Sequence, residues 1–156
     1  MNAQLQASLD AFDELFEQMR PFVAPLADDV LAWRPPIAGA NTIAALVTHL
    51  CGSTNTWLAR AVGETIQRDR DAEFQRRANA GELVALIDET RAEVRRRIGL
   101  MDGRDLSTRL TVTRAGGAHA GQTMDVSLAW CLEHALVHAG EHWGHIQLTQ
   151  QLYASR

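Results

Sequence analysis

Lysine is missing from this chain: all fifteen basic residues are arginine. That excludes Schiff-base chemistry on a lysine and the lysine-bearing phosphate loop of P-loop nucleotide-binding proteins. Cysteine is nearly missing too, with only Cys51 and Cys131. Two thiols make no disulfide framework, and a reducing cytoplasm is the expected compartment. No run of about 18 apolar residues occurs, so no membrane-spanning helix is expected. The polar, amphipathic stretch from Met1 to Asp10 lacks the basic start and apolar core of a secretory signal. An excess of positive charge is lacking as well. The formal charge is −4 at pH 7, whereas a nucleic-acid surface needs a basic face to displace counterions. A nucleic-acid partner is therefore not expected.

What remains is an ordinary globular composition, 46% apolar and 22% charged over 156 residues. That length suits one domain spanning 1–156 with a proper core. Apolar spacing divides it into four helical segments. Leu5, Leu9, Phe12, Phe16, Met19 and Val23 recur every three or four residues. Pro21 and Pro25 disturb the end of that helix, and Arg34-Pro35-Pro36 closes the following connection. Asn41 then reads as an N-cap. The second helix carries Ile43, Leu46, Leu50, Trp57 and Ala61, and ends near Gly63. Residues Glu64 to Ala78 are charged and aperiodic, which predicts a surface connection. Asn79 and Glu82 have capping-box spacing, and open a third helix along Leu83, Ile87, Thr90, Val94, Ile98 and Met101. Arg95, Arg96 and Arg97, near its end, read as a solvated face. From Asp102 to Gln122 the pattern changes. Leu110-Thr111-Val112-Thr113 alternates like a short strand, and Gly116-Gly117 signals a turn. Thr123 is the expected cap of a fourth helix reaching about Tyr153. The fold class is all-α: an antiparallel four-helix bundle with long connections after helices two and three.

Histidine is where chemistry concentrates. His134, His138, His142 and His145 lie within roughly 80° of one another around the fourth helix at about 100° per residue. Side chains at i and i+4 stand about 5–6 Å apart at Cβ, so two imidazoles there can share one ion. His134/His138 and His138/His142 meet that spacing, and His142/His145 meets it at i+3. His134 and His142 do not, being about 12 Å apart along the axis at ~1.5 Å per residue. A third ligand must come from elsewhere. His49, on the second helix, has Ala45, Gly52, Ser53 and Thr56 on its face. These small residues leave room for a pocket between facing helices, where bundles build metal sites. His119 reads as a plain surface residue.

The text of these helices is similar to a known group. His49-Leu50-Cys51-Gly52 followed by Trp57-Leu58-Ala59-Arg60, together with Glu141-His142-Trp143-Gly144-His145-Ile146, resembles the DinB-like superfamily. The resemblance covers nearly the whole chain, including the Pro-Pro linker before Asn41. It implies a four-helix bundle and, residue by residue, metal ligands at His49, His138 and His142. It also implies one divalent ion, zinc or nickel, and a homodimer. His134 and His145 lie outside the minimal pattern and, with Ser53 and Thr56, border the ion or its pocket. The superfamily includes thiol-dependent S-transferases, a mycothiol-dependent isomerase and members described as metal-dependent hydrolases. The isomerase branch has a glutamate where this chain has His138, which argues against that activity.

Three neutral imidazoles leave coordination positions open, as in catalytic rather than structural zinc sites. A metal so held lowers the pKa of a bound water or thiol. No Ser-His-Asp constellation and no placeable pair of carboxylates accompanies it. The expectation is thus a metal-dependent enzyme joining a low-molecular-weight thiol to a small electrophile. A metal-dependent hydrolase and a non-catalytic metal-containing binding module or scaffold are the alternatives. Cys51, about 200° round the helix from His49, and Cys131, two turns from His138, are poor nucleophiles. The thiol would come from a small cofactor, selected by the segment Asp102 to Gln122 and by the charged run Arg68 to Arg77.

Overall fold

The apolar stripe of the first segment folds into α1, Ala3–Val23, and buries Leu5, Phe12, Phe16, Met19 and Val23. A one-turn helix α2, Asp28–Ala32, precedes α3, Ile43–Val62. A second short helix, α4, Arg70–Gln75, leads to α5, Ala80–Met101. Strands β1, Arg109–Thr113, and β2, Thr123–Ser127, then bring the chain to α6, Leu128–Ala154. This computed structural model describes residues 1–113 and 120–156. The expected Gly116-Gly117 turn and the surface position of His119 lie outside the described residues.

The bundle is all-α apart from that hairpin. One core joins Phe12 and Phe16 of α1, Leu50 and Leu58 of α3, Ile87 and Ile98 of α5, and Leu132 and Ile146 of α6. Removing about 25 cal/mol per Å² of apolar surface from water is what holds such a stripe inward.

Side-chain pairs give the helix directions. On α1 and α5, Asp13 meets Arg95 while Arg20 meets Asp88, so that pair is antiparallel. On α3 and α6, His49 faces His142 while Trp57 faces Trp130, again antiparallel. In contrast, α3 and α5 run parallel, because Asn55 meets Thr90 and Glu64 meets Arg97. So do α1 and α6, through Ser8 to Glu133 and Phe22 to Trp143. A parallel neighbour can be reached only by carrying the chain back along the bundle, about 30 Å for a 20-residue helix. The connection 63–79 makes that return beside α3. Its length is a consequence of topology, and it brings α4 onto the α3 face.

Several local expectations are corrected. The cap of α3 is Thr42, whose hydroxyl accepts from Ala45 N at 3.1 Å, whereas Asn41 donates to the Gly39 carbonyl. α6 is capped by Ser127, not Thr123. Thr123 is paired with Thr113 in the β1–β2 ladder, so its backbone is extended and unavailable to a helix. Arg97 is not on a solvated face. It is 5% exposed and bonds Asn55 Oδ1 at 2.7 Å and Glu64 at 2.9 Å. The capping box of Asn79 with Glu82 and the left-handed Gly63 exit, at φ 82°, are present as expected. No helix among the described residues is long and apolar enough to cross a membrane.

Candidate metal centre

His49 leaves the middle of α3 toward α6, where His138 and His142 stand one turn apart. The ring centroids are 5.3 Å for His49–His138, 4.9 Å for His49–His142 and 4.4 Å for His138–His142. One nitrogen from each lies within 4.8 Å of the other two, a cluster that could hold a metal ion. His49 is buried, while the α6 pair is half-buried.

The rings are in the right chemical state for ligation. Burial first, then the neighbouring imidazoles and Arg68, push the His138 pKa down to about 3. Burial, His49, His145 and Arg70 take His142 down to about 4. Both are therefore neutral at pH 7, with a lone pair for a cation. Nδ1 of His138 and Nδ1 of His142 are buried without a hydrogen-bond partner among the described residues. Buried polar atoms are normally satisfied. A divalent ion, or the ligands around it, would supply what these two lack.

The segment expected to be mere surface connection contributes more. Phe74 of α4 stacks on His49 with centroids 4.4 Å apart. Glu73, only 8% exposed, places Oε2 2.9 Å from His49 Nδ1. Arg68 grips the same carboxylate twice, Nε to Oε1 at 2.6 Å and Nη2 to Oε2 at 2.7 Å. Burial would raise the Glu73 pKa, but the bonds from His49 and Arg68 outweigh it and hold the carboxyl below its usual range. An ionised oxygen at Nδ1 requires a proton there. The 3.2 Å approach of Arg68 Nη2 to the same nitrogen is then a consequence of sharing the carboxylate, since both groups are donors. Sequence reading missed Glu73 because its contact spans 24 residues. The signal was the Glu73-Phe74 pair, which puts an aromatic residue in a run dominated by charge.

The other candidate residues divide. His134 stacks on Trp130 at 4.5 Å and meets Trp57 edge-on at 4.6 Å. Its ring is 6.0 Å from His138, so it flanks the triad as part of an aromatic wall. His145 is exposed, 5.5 Å from His142. Ser53 and Thr56 are buried, and Thr56 turns its hydroxyl onto the Gly52 carbonyl of its own helix at 2.8 Å. Cys51 and Cys131 are buried, and burial pushes their thiols up to about 12 and about 11. Neither is a thiolate at neutral pH.

One cleft reaches the cluster, and a larger one lies apart from it. The first, about 350 Å³, reaches His142 and His145 and is otherwise walled by uncharged residues, among them Pro35, Ile37, Leu46 and Leu148. The larger, about 680 Å³, is lined by residues of both charges, Arg68, Arg76 and Arg77 with Asp69 and Glu73. None of the three histidines lines it, so size alone does not mark the chemistry.

The family profile described as the DinB superfamily matches residues 11–146, most of the chain, which therefore belongs to that superfamily. No curated protein matches it significantly.

Proposed function

We propose that this DinB-superfamily protein is a metal-dependent enzyme that conjugates a low-molecular-weight thiol to a small, largely apolar electrophile. The observation that carries the reading is the convergence of His49, His138 and His142, with two neutral imidazole nitrogens that have no partner among the described residues. Three protein ligands leave positions free, the pattern of catalytic rather than structural zinc. Bound there, zinc or nickel supplies Lewis acidity and lowers the pKa of a coordinated thiol or water.

The chain's own residues do the rest. His142 belongs to both the triad and the 350 Å³ cleft, so a molecule in that cleft has one end at the metal position. Its uncharged walls suit an apolar body. The protein's own thiols stay protonated, which leaves the nucleophile to the cofactor. In the reaction a carbon–sulfur bond forms as the thiol loses its proton. The proton passes to the leaving group or to the new carbanion, with His145 at the cleft edge available to relay it.

The test is a conjugation assay with zinc- or nickel-loaded protein, a low-molecular-weight thiol and a small aromatic electrophile. Turnover should be abolished by chelation and by His142→Ala, and retained in Cys131→Ser. Ester or amide cleavage without added thiol would instead support the hydrolase reading, and metal-loaded protein inert in both assays would support a binding module. The proposal extends to a homodimer without affinity for duplex DNA. A monomer on sedimentation at micromolar concentration, or a salt-sensitive shift of random DNA, would contradict it.

A further inference from the structure

We infer that Glu73, admitted by Gly52 and braced by Arg68, is the positioning residue that decides which nitrogen of His49 faces the metal. Gly52 sits inside α3, where alanine is the better helix former, and the helix needs no unusual backbone angle there. Space accounts for it. A Cβ at position 52 would overlap Glu73 Oε1 and stand 3.0 Å from Glu73 Cδ and 3.2 Å from Arg68 Nε. The helix is thus bare at the one place where a carboxylate from the 63–79 connection lies against it.

That carboxylate cannot turn away, because Arg68 holds both of its oxygens. Its Oε2 faces His49 Nδ1 at 2.9 Å, which keeps a proton on Nδ1 and leaves Nε2 as the nitrogen with a lone pair to offer the cluster. Metal-bound histidines commonly donate their second nitrogen to a carboxylate, and losing that partner typically weakens metal affinity 10–100-fold. Phe74 stacks on the same ring, so two adjacent residues of α4 fix both its plane and its tautomer. His49, the ligand standing alone on its helix, is the one that receives this support.

The inference builds on the metal reading but has a readout that needs no metal. In metal-free protein, ¹⁵N NMR should show His49 protonated at Nδ1, and Glu73→Gln should abolish that preference. Zinc competition against a chelator should show a 10–100-fold loss of affinity in Glu73→Gln. Gly52→Ala should produce a similar loss while the helix melts no earlier than in wild type, a combination that a purely structural glycine would not give. A His49 proton on Nε2 in the wild-type protein would overturn the inference, as would undiminished zinc affinity in both variants. If no zinc binds even to wild type, the metal reading of the previous subsection fails, and the tautomer measurement still decides the role of Glu73.

Discussion

The α1/α5 seam and the α3/α6 seam are both antiparallel helix pairs, yet they place their polar groups in opposite ways. On α1/α5 the ion pairs lie outside: Arg91 with Asp13 and Glu17, Arg95 with Asp13, Arg20 with Asp88. Beneath them Phe12, Phe16, Ile87 and Val94 are almost wholly buried. On α3/α6 the polar groups lie within, as three imidazoles with two nitrogens that have no partner among the described residues. Orphaned buried groups typically cost about 1–3 kcal/mol each. One seam serves stability and the other gives some of it up for a ligand. A single bundle can thus give different tasks to different helix pairs even though one apolar core joins all four helices.

The separation can be broken at its strong side first. Phe12→Ala should cost about 3–5 kcal/mol of stability through the cavity it leaves, measured by denaturant unfolding of the metal-free protein. The folded fraction should still bind zinc with wild-type stoichiometry. A loss of zinc binding in that folded fraction would show the seams to be coupled.

The converse substitution is His138→Ala. Wild type should gain about 2.7 kcal/mol when free zinc exceeds its Kd a hundredfold, seen as a rise in melting temperature. The variant should gain nothing, while its metal-free stability changes far less than that of Phe12→Ala. Equal zinc stabilisation of both proteins would remove His138 from the ligand set.

The third effect is on pH, and it is the smallest of the three only while the pH stays close to neutral. His138 and His142 titrate in the folded protein at about 3 and about 4, below their ordinary 6.5. Between those values and 6.5 the unfolded chain binds more protons, so stability falls as pH falls. Metal-free protein should therefore weaken progressively below pH 6.5. The double variant His138→Ala/His142→Ala should lose most of that slope, whereas Phe12→Ala should keep it. A slope unchanged in the double variant would assign it to carboxylates elsewhere.

Much of this was legible in the residues alone. The four long helices, the capping box at Asn79 and the Gly63 exit depend on contacts within one or two turns. So does the His138/His142 pair, because i and i+4 neighbours are fixed by the helix itself. Adding His49 required a guess about which helices face each other, and its small-residue surroundings together with the family resemblance supplied it. The caps at Asn41 and Thr123 were misread because several cap-competent residues adjoin each helix start, and only strand pairing and loop geometry choose among them.

Arg97 and Glu73 were beyond reach for the same physical reason. Charged residues are rarely buried unless paired, and the distant partners, Asn55 and Glu64 for one and His49 for the other, come from elsewhere in the fold. Local spacing determined that this chain makes helices and that one of them carries an imidazole pair. Only the tertiary structure decided that α3 and α5 run parallel. That direction forces the returning connection across α3, and the return sets a carboxylate behind the lone histidine.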